Sequence, residues 1–464
     1  KQRAETEQLQ ARASEAAANA ARLESEGRRS EAVQERERAD KLRLAAEDSE
    51  RETKRLGRLS FARALSLQLA RPQPDGQLDD QPGRDLAALL ALQVFRLNRQ
   101  NGGEPQDPDL FNALHAALSR LRPDPVLRLQ DTVRAATFVG DGTTLVTGSE
   151  DGKLLRFDLR KPDSPEIIGT TAKGLRSTAV STDGTLLAAG SADGSLRIWN
   201  LRQPGSPPRE LASGPEPSRQ VLAALAFEPH THRLASGDQG GLVRLWDLDH
   251  PEAPPLRLDA AGRRVTSLAF SPDGRLLAAG LSQGGALLWE APSPQIPPQA
   301  PPQAACTGKD VRSVAFSPDG KLLSCGGGRG EIVLWNPATA SAAASLPGHL
   351  SSVNALSFDP KGDALVSASS DGTVRRWDIR RPGTPPITLS GHESWVWTVS
   401  FSPAGDRIVS GGSDKTVRLW PATTERLADE ICRQVNRSLT PEEWERAMPA
   451  DLPFDNQRGC PGSL

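Results

Sequence analysis

Residues 391–420 read GHESWVWTVSFSPAGDRIVSGGSDKTVRLW. Serine, histidine and aspartate within one short reach suggest hydrolytic chemistry, yet apolar and polar residues alternate around a Pro-Ala-Gly turn, as in a pair of half-buried strands. Recurrence decides between the two. Residues 353–379, VNALSFDPKGDALVSASSDGTVRRWDI, repeat the stretch: the alternation, the turn, a serine in mid-strand, an aspartate in the next turn and a tryptophan near the end.

Five further copies lie upstream, the first VRAATFVGDGTTLVTGSEDGKLLRFDL at 133–159. The aromatic near the end of each copy is Phe157, Trp199, Trp246, Trp289, Trp335, Trp377 or Trp420, at spacings of 42, 47, 43, 46, 42 and 43 residues. A period of this size marks a propeller or a solenoid, whose units bury one face only against their neighbours.

Over about residues 125–421 these units resemble the WD-repeat family. The resemblance implies a mainly β fold, a seven-bladed β-propeller in which each blade is a four-stranded antiparallel sheet. Segments such as APPLRL and TPPITL between units would be the outer strands. None follows Trp420, where PATTERLADEICRQV reads as a helix, whereas DPVLRL stands at 124–129 before the first unit. The expectation is a ring over 124–421, closed by the 124–130 strand completing the last blade.

His392, Ser410, Asp414 and Trp420 then lose their catalytic appearance. A nucleophilic serine needs an exposed, sharply turned position and an oxyanion hole, and Ser410 lies inside an alternating strand. The preceding unit has the same set as His349, Ser367, Asp371 and Trp377. The resemblance implies that histidine bridges the turn aspartate to the strand serine and tryptophan, a network that fixes register only when every member is satisfied. The other units lack the histidine, although Asp151 and Asp193 keep the turn aspartate and Asp238 lies near it in the third.

His230 and His232 share a strand face and could ligate zinc, but no third ligand stands nearby and they occupy a hairpin slot. CGGGRGE at 325–331 is glycine-rich without being a phosphate-binding loop, and reads as a hairpin. No catalytic residue, metal site or cofactor is expected, and no enzyme.

The resemblance also implies that the positions flanking the first apolar residue of each inner strand line one mouth of the central channel. Arg134, Arg176, Arg264, Arg312, Trp395 and Trp397 are among them. Tryptophan and arginine are enriched at interface hot spots, and arginine pairs well with carboxylates. The competing reading has Trp397 filling space between blades and Trp395 capping a strand end.

Residues 1–58 are rich in Ala, Glu, Arg and Gln, with charges paired three and four residues apart, which predicts a long, mostly solvated helix. Its leucines and Val33 are too sparse for a sustained heptad seam, so a weak coiled coil and a lone connecting helix both stand open. Residues 59–122 return Leu, Phe and Ala at helical spacing and predict a small helical segment, with Asp107 or Asp109 as a cap. Residues 422–464 predict a helical tail in which Thr440, Pro441 and Glu443 form an N-terminal cap.

The tail, through Leu439, Thr440, Glu442, Glu443, Trp444, Cys460 and Pro461, together with the earlier helices, resembles the C-terminal sensor half of bacterial STAND-type signalling ATPases. No nucleotide-binding domain is present in the 464 residues. A net charge of −2 argues against a nucleic-acid partner, and no apolar run suits membrane insertion. Four scattered cysteines predict reduced thiols and a cytoplasmic setting. The expected function is protein recognition by a sensor or scaffold module, with self-association through residues 1–58 as the alternative.

Overall fold

A computed structural model of the chain describes residues 2–71, 81–122, 125–171, 174–203, 205–211, 220–290, 301–307, 309–450 and 452–454. Cys460 and Pro461 of the tail motif lie outside them. Among the described residues, the strands form seven four-stranded antiparallel sheets. Blade 1 is Val133–Val139, Thr144–Ser149, Lys153–Asp158 and Glu166–Thr170, and blades 2 to 6 likewise use four consecutive strands.

Blade 7 is composite. Its inner three strands are Val396–Phe401, Arg407–Gly412 and Thr416–Pro421, and its outer strand is Val126–Arg128 from the other end of the ring. Leu127 pairs with Val417, flanked by Val126 with Arg418 and Arg128 with Thr416. The ring is thus shut by backbone hydrogen bonds, which also cover the Thr416–Pro421 strand that would otherwise be the edge of blade 7.

Local chemistry sets the hairpins. In the fourth repeat, Ser271 Oγ donates to Asp273 Oδ1 (2.6 Å) and accepts from the Leu276 N–H (2.9 Å), while Gly274 takes φ +72°. Ser317 and Asp319 repeat this at 2.6 Å in the fifth. The Ser-Pro-Asp-Gly sequence therefore builds its turn from its own side chains, and glycine supplies the left-handed residue.

Among the described residues five helices accompany the ring: α1 (Gln2–Ala70), α2 (Gln81–Gln100), α3 (Pro108–Leu121), α4 (Thr424–Gln434) and α5 (Pro441–Ala447). The expected change of character at residue 59 is not a break in the backbone, because α1 continues through it for about 100 Å in all. What changes is burial: Leu23 and Leu42 are 69% and 73% exposed, whereas Leu65 and Leu69 are covered. Asp107 caps α3, accepting from the Asp109 and Leu110 N–H groups at 2.9 and 3.0 Å. Thr440 and Glu443 form a reciprocal capping box on α5.

The end of α1, together with α2, α3, α4 and α5, shares one apolar core with blades 6 and 7, in which Phe111, Leu114 and Ile431 join Leu389, Phe401 and Trp420. Arg63 pairs with Asp109 at 2.9 Å, and the Thr424 hydroxyl donates to the Pro105 carbonyl at 2.5 Å.

The expectation of reduced thiols is overturned. Cys306 and Cys325 form a disulfide, Cys432 is also disulfide-bonded, and no free cysteine stands among the described residues. The reason is tertiary: Cys306 and Cys325 are 19 apart in sequence, but blade packing brings their Cα atoms to 6.6 Å, within disulfide reach. With that, the argument from cysteine spacing for a reducing compartment falls.

Candidate functional site

In blade 7, Trp420 Nε1 donates to Ser410 Oγ (2.9 Å), His392 Nε2 lies 2.8 Å from the same hydroxyl, and His392 Nδ1 lies 2.9 Å from Asp414 Oδ2. A carboxylate can only accept, so Nδ1 carries the proton and Nε2 accepts from the serine. Asp414 also accepts from the Glu393 N–H (3.1 Å) and the Thr416 hydroxyl (2.8 Å). Blade 6 repeats the chain with Trp377, Ser367, His349 and Asp371 at 2.8, 2.7 and 2.8 Å.

Both histidine side chains are buried, at 0% and 1% exposure. Burial pushes each imidazole pKa down and outweighs the neighbouring aspartate, so both are neutral near pH 7. Burial opposes ionisation of Asp414, but His392, Thr416 and the Glu393 N–H together hold its pKa below the ordinary carboxylate value. Ser410 has no access to solvent. The cluster ties a loop to two strands and offers nothing to a substrate.

The other blades show what happens without the histidine. Thr147 of blade 1 occupies the serine position and Phe157, which cannot donate, the tryptophan position, and the Thr147 hydroxyl is buried without a partner. Blade 3 keeps the Trp246–Ser236 bond at 2.8 Å and adds a buried Arg244–Asp238 pair, also at 2.8 Å. In blade 5, Cys325 stands where Ser367 and Ser410 stand, since it pairs with Val314 as they pair with Leu356 and Val399. Its disulfide partner Cys306 precedes the inner strand of that blade, as His349 and His392 precede theirs. A covalent bond there takes the place of the histidine–serine hydrogen bond, and Trp335 Nε1 is left without an acceptor. A cysteine in the serine column of the repeat was the available signal.

The channel mouth depends on a break in the strand alternation, where the first two inward residues of the inner strand stand three apart, as Val396 and Val399 do. In every blade the inner strand has a register irregularity just after its first apolar residue, as between Val133 and Ala135, Leu175 and Ser177, Val311 and Ser313, and Val396 and Thr398. The skipped residues are Arg134, Arg176, Arg312 and Trp397. A bulge leaves its residue out of the ladder and re-aims its side chain. Here these side chains line a cavity of about 560 Å³, joined by Arg264 and Asn354.

Charge within the mouth is partly compensated. Glu150 receives Arg134 at 2.8 Å and also Arg176. Burial works against its ionisation, but the two guanidiniums outweigh it and lower the pKa. Arg312 lies 3.8 Å from Asp310. Arg264 is exposed and has no side-chain partner among the described residues.

Arg134 lies over the Trp397 ring, 3.9 Å from its centroid, and the Trp397 indole donates to Ser413 at 2.7 Å. Trp395 meets Trp397 edge-on with centroids 5.6 Å apart, and remains 53% exposed without lining the cavity. Five of the six expected rim residues thus face one opening, while Trp395 stands at its edge.

His230 takes φ +64° in the hairpin, and exposed His232 bonds Asp249 at 2.9 Å. Among the described residues no group of three or more His, Cys, Asp or Glu side chains could hold a metal ion.

Comparison with known families gives matches to the WD domain, G-beta repeat, at residues 124–158, 166–200, 213–247, 256–290, 301–336, 341–378 and 383–421. No curated protein matches the chain.

Proposed function

Since the chain belongs to the WD domain, G-beta repeat family, we propose that it is a non-enzymatic protein-recognition module, the ligand-sensing part of a larger bacterial signalling protein of the STAND type. Propellers of this family generally act as protein-interaction scaffolds and are typically non-catalytic. The observation that carries the reading is the Trp395–Trp397–Arg134 stack beside an arginine-lined opening. A large indole left half in solvent, braced by a second indole whose own N–H is satisfied, is a preorganised anchor. The signalling assignment is supported by the tail residues Leu439, Thr440, Glu442, Glu443 and Trp444 and by the helices packed on blades 6 and 7. The buried disulfide is at odds with a reducing setting, so a cytoplasmic location is not carried into this reading.

Affinity capture from the source cell with the wild-type chain, Trp395→Ala and Arg264→Glu tests it. Both variants are expected to lose the partner and keep the melting temperature, since both side chains are exposed. Loss of folding in both, or retention of the partner in both, defeats the rim assignment. A phosphate-binding loop encoded upstream of Lys1 would support the STAND assignment, and a kinase or protease domain there would replace it.

A second reading, self-association through residues 1–58, is favoured by Leu23, Val33, Leu42, Leu44 and Leu56, all at least half exposed on α1. Light scattering on the full chain and on residues 124–464 separates the two, because only scaffolding requires α1 to oligomerise the protein.

A further inference from the structure

Where the ring closes against the helices lies a second cavity, of about 410 Å³, which shares no lining residue with the channel mouth. Its apolar wall comes from Leu118 of α3, Val126 and Leu127 of the closing strand, and Leu159, Leu419 and Trp420 of the blades it joins. Its polar wall carries Arg122, Arg407, Arg426 and Arg433, with Glu430 and Asp163.

Two of these guanidiniums are neutralised. Arg122 donates to Glu430, and Arg426 donates to the same carboxylate at 2.9 Å while lying 3.4 Å from Asp406. Exposed Arg433 and half-buried Arg407 have no side-chain hydrogen bond or ion pair among the described residues. Arg407 starts the second strand of blade 7 and is crowded by like charge. Burial, then Arg426 and Arg433, push its pKa below the ordinary guanidinium value against the pull of Asp406 and Glu430. A guanidinium nevertheless stays charged, so the site holds a cation with no carboxylate in direct contact with it among the described residues.

We propose that this cavity binds a small amphipathic anion, an alkyl carboxylate of about ten carbons, with its head on Arg407 and its chain along the apolar wall. A carboxylate matches the guanidinium fork in two parallel hydrogen bonds and supplies the missing negative charge. Because the walls come from α3, from the closing strand and from the blades it joins, the ligand binds only the closed ring and stabilises closure by mass action.

Calorimetric titration of the full chain with decanoate below its micellar range tests this, with decan-1-ol and inorganic phosphate as the apolar and anionic controls. One decanoate per chain is expected, raising the melting temperature, with either control at least about tenfold weaker. Arg407→Met is expected to weaken decanoate about tenfold, and Arg407→Lys, which keeps the charge and loses the fork, to weaken it by a smaller factor. No saturable binding to the wild type, equal binding to Arg407→Met, or decan-1-ol binding as tightly as decanoate overturns the proposal. The alcohol comparison on the wild type decides even if Arg407→Met does not fold.

Discussion

Ser410→Ala separates architecture from chemistry most sharply. The hydroxyl accepts from Trp420 Nε1 at 2.9 Å and donates to His392 Nε2 at 2.8 Å, in a site closed to water. Removing one oxygen orphans a donor and an acceptor. Each orphan costs about 1–3 kcal/mol, so with partial relaxation the loss should be about 3 kcal/mol. Thr147→Val at the corresponding position of blade 1 is the control, because the Thr147 hydroxyl is buried with no partner to lose. Its replacement by a methyl should change stability by no more than about 0.5 kcal/mol, or raise it. Urea unfolding at pH 7.5, followed by tryptophan fluorescence and fitted with m held in common, measures both. A Ser410→Ala cost under about 0.5 kcal/mol, or an equal cost for Thr147→Val, would refute the view that the completed chain of bonds, and not burial of a hydroxyl, stabilises the blade.

The buried imidazoles make stability depend on pH. Their folded pKa values lie below the unfolded value of about 6.5, so on acidification the unfolded state takes up protons first. The contribution is full above about pH 6.5 and declines below it. Melting temperatures from pH 8 to pH 5 should therefore fall, and a His349→Gln/His392→Gln variant should start lower and fall less steeply. An unchanged slope would count against it. Reducing the Cys306–Cys325 bond, which closes a short loop, should cost about 3 kcal/mol. In a Cys306→Ala background, Cys325→Ser should be about 1 kcal/mol more stable than Cys325→Ala, since the new hydroxyl can accept from Trp335 Nε1. Equal urea midpoints would show that the indole finds no acceptor there. Leu127→Pro removes a ladder donor from the closing strand and should cost at least about 2 kcal/mol, whereas unaltered thermal unfolding would mean that blade 7 does not depend on it.

The ring, its seven units and the strand that closes it were legible because repetition multiplies weak local signals. Alternation, a tight polar turn and a terminal aromatic mean little once and much in seven copies. The histidine–serine bridges were legible for the same reason. What one sequence could not show is tertiary. Cys306 and Cys325 look unrelated until the blade register places Cys325 in the serine column. The bulge that turns Arg134, Arg176 and Trp397 into the channel does mark the sequence, since the inward residues of the inner strand, such as Val396, Val399 and Phe401, stand three and then two apart where strict alternation would keep them two apart. The continuity of α1 through residue 59 was hidden because the local pattern there reports which partners the helix meets, while its backbone is unaffected.

The distribution of polar networks around the ring follows the load each blade carries. The two complete histidine chains lie in blades 6 and 7, the blades whose apolar residues join the core of the helices. Blade 7 is also the blade assembled from both ends of the ring and the one that presents Trp395 and Trp397. A composite blade has no hairpin to hold its outer strand in register, so its remaining strands must be fixed by side chains. The bond from Ser410 to Trp420, with His392 tying on the preceding loop, does this from within, and α3 and α4 cover the same tryptophan side from without. A force applied at the Trp395 edge therefore meets a stiff blade backed by helices, while blades 1, 2, 4 and 5, built on threonine, alanine or cysteine in the serine column, lack that hydrogen-bonded link.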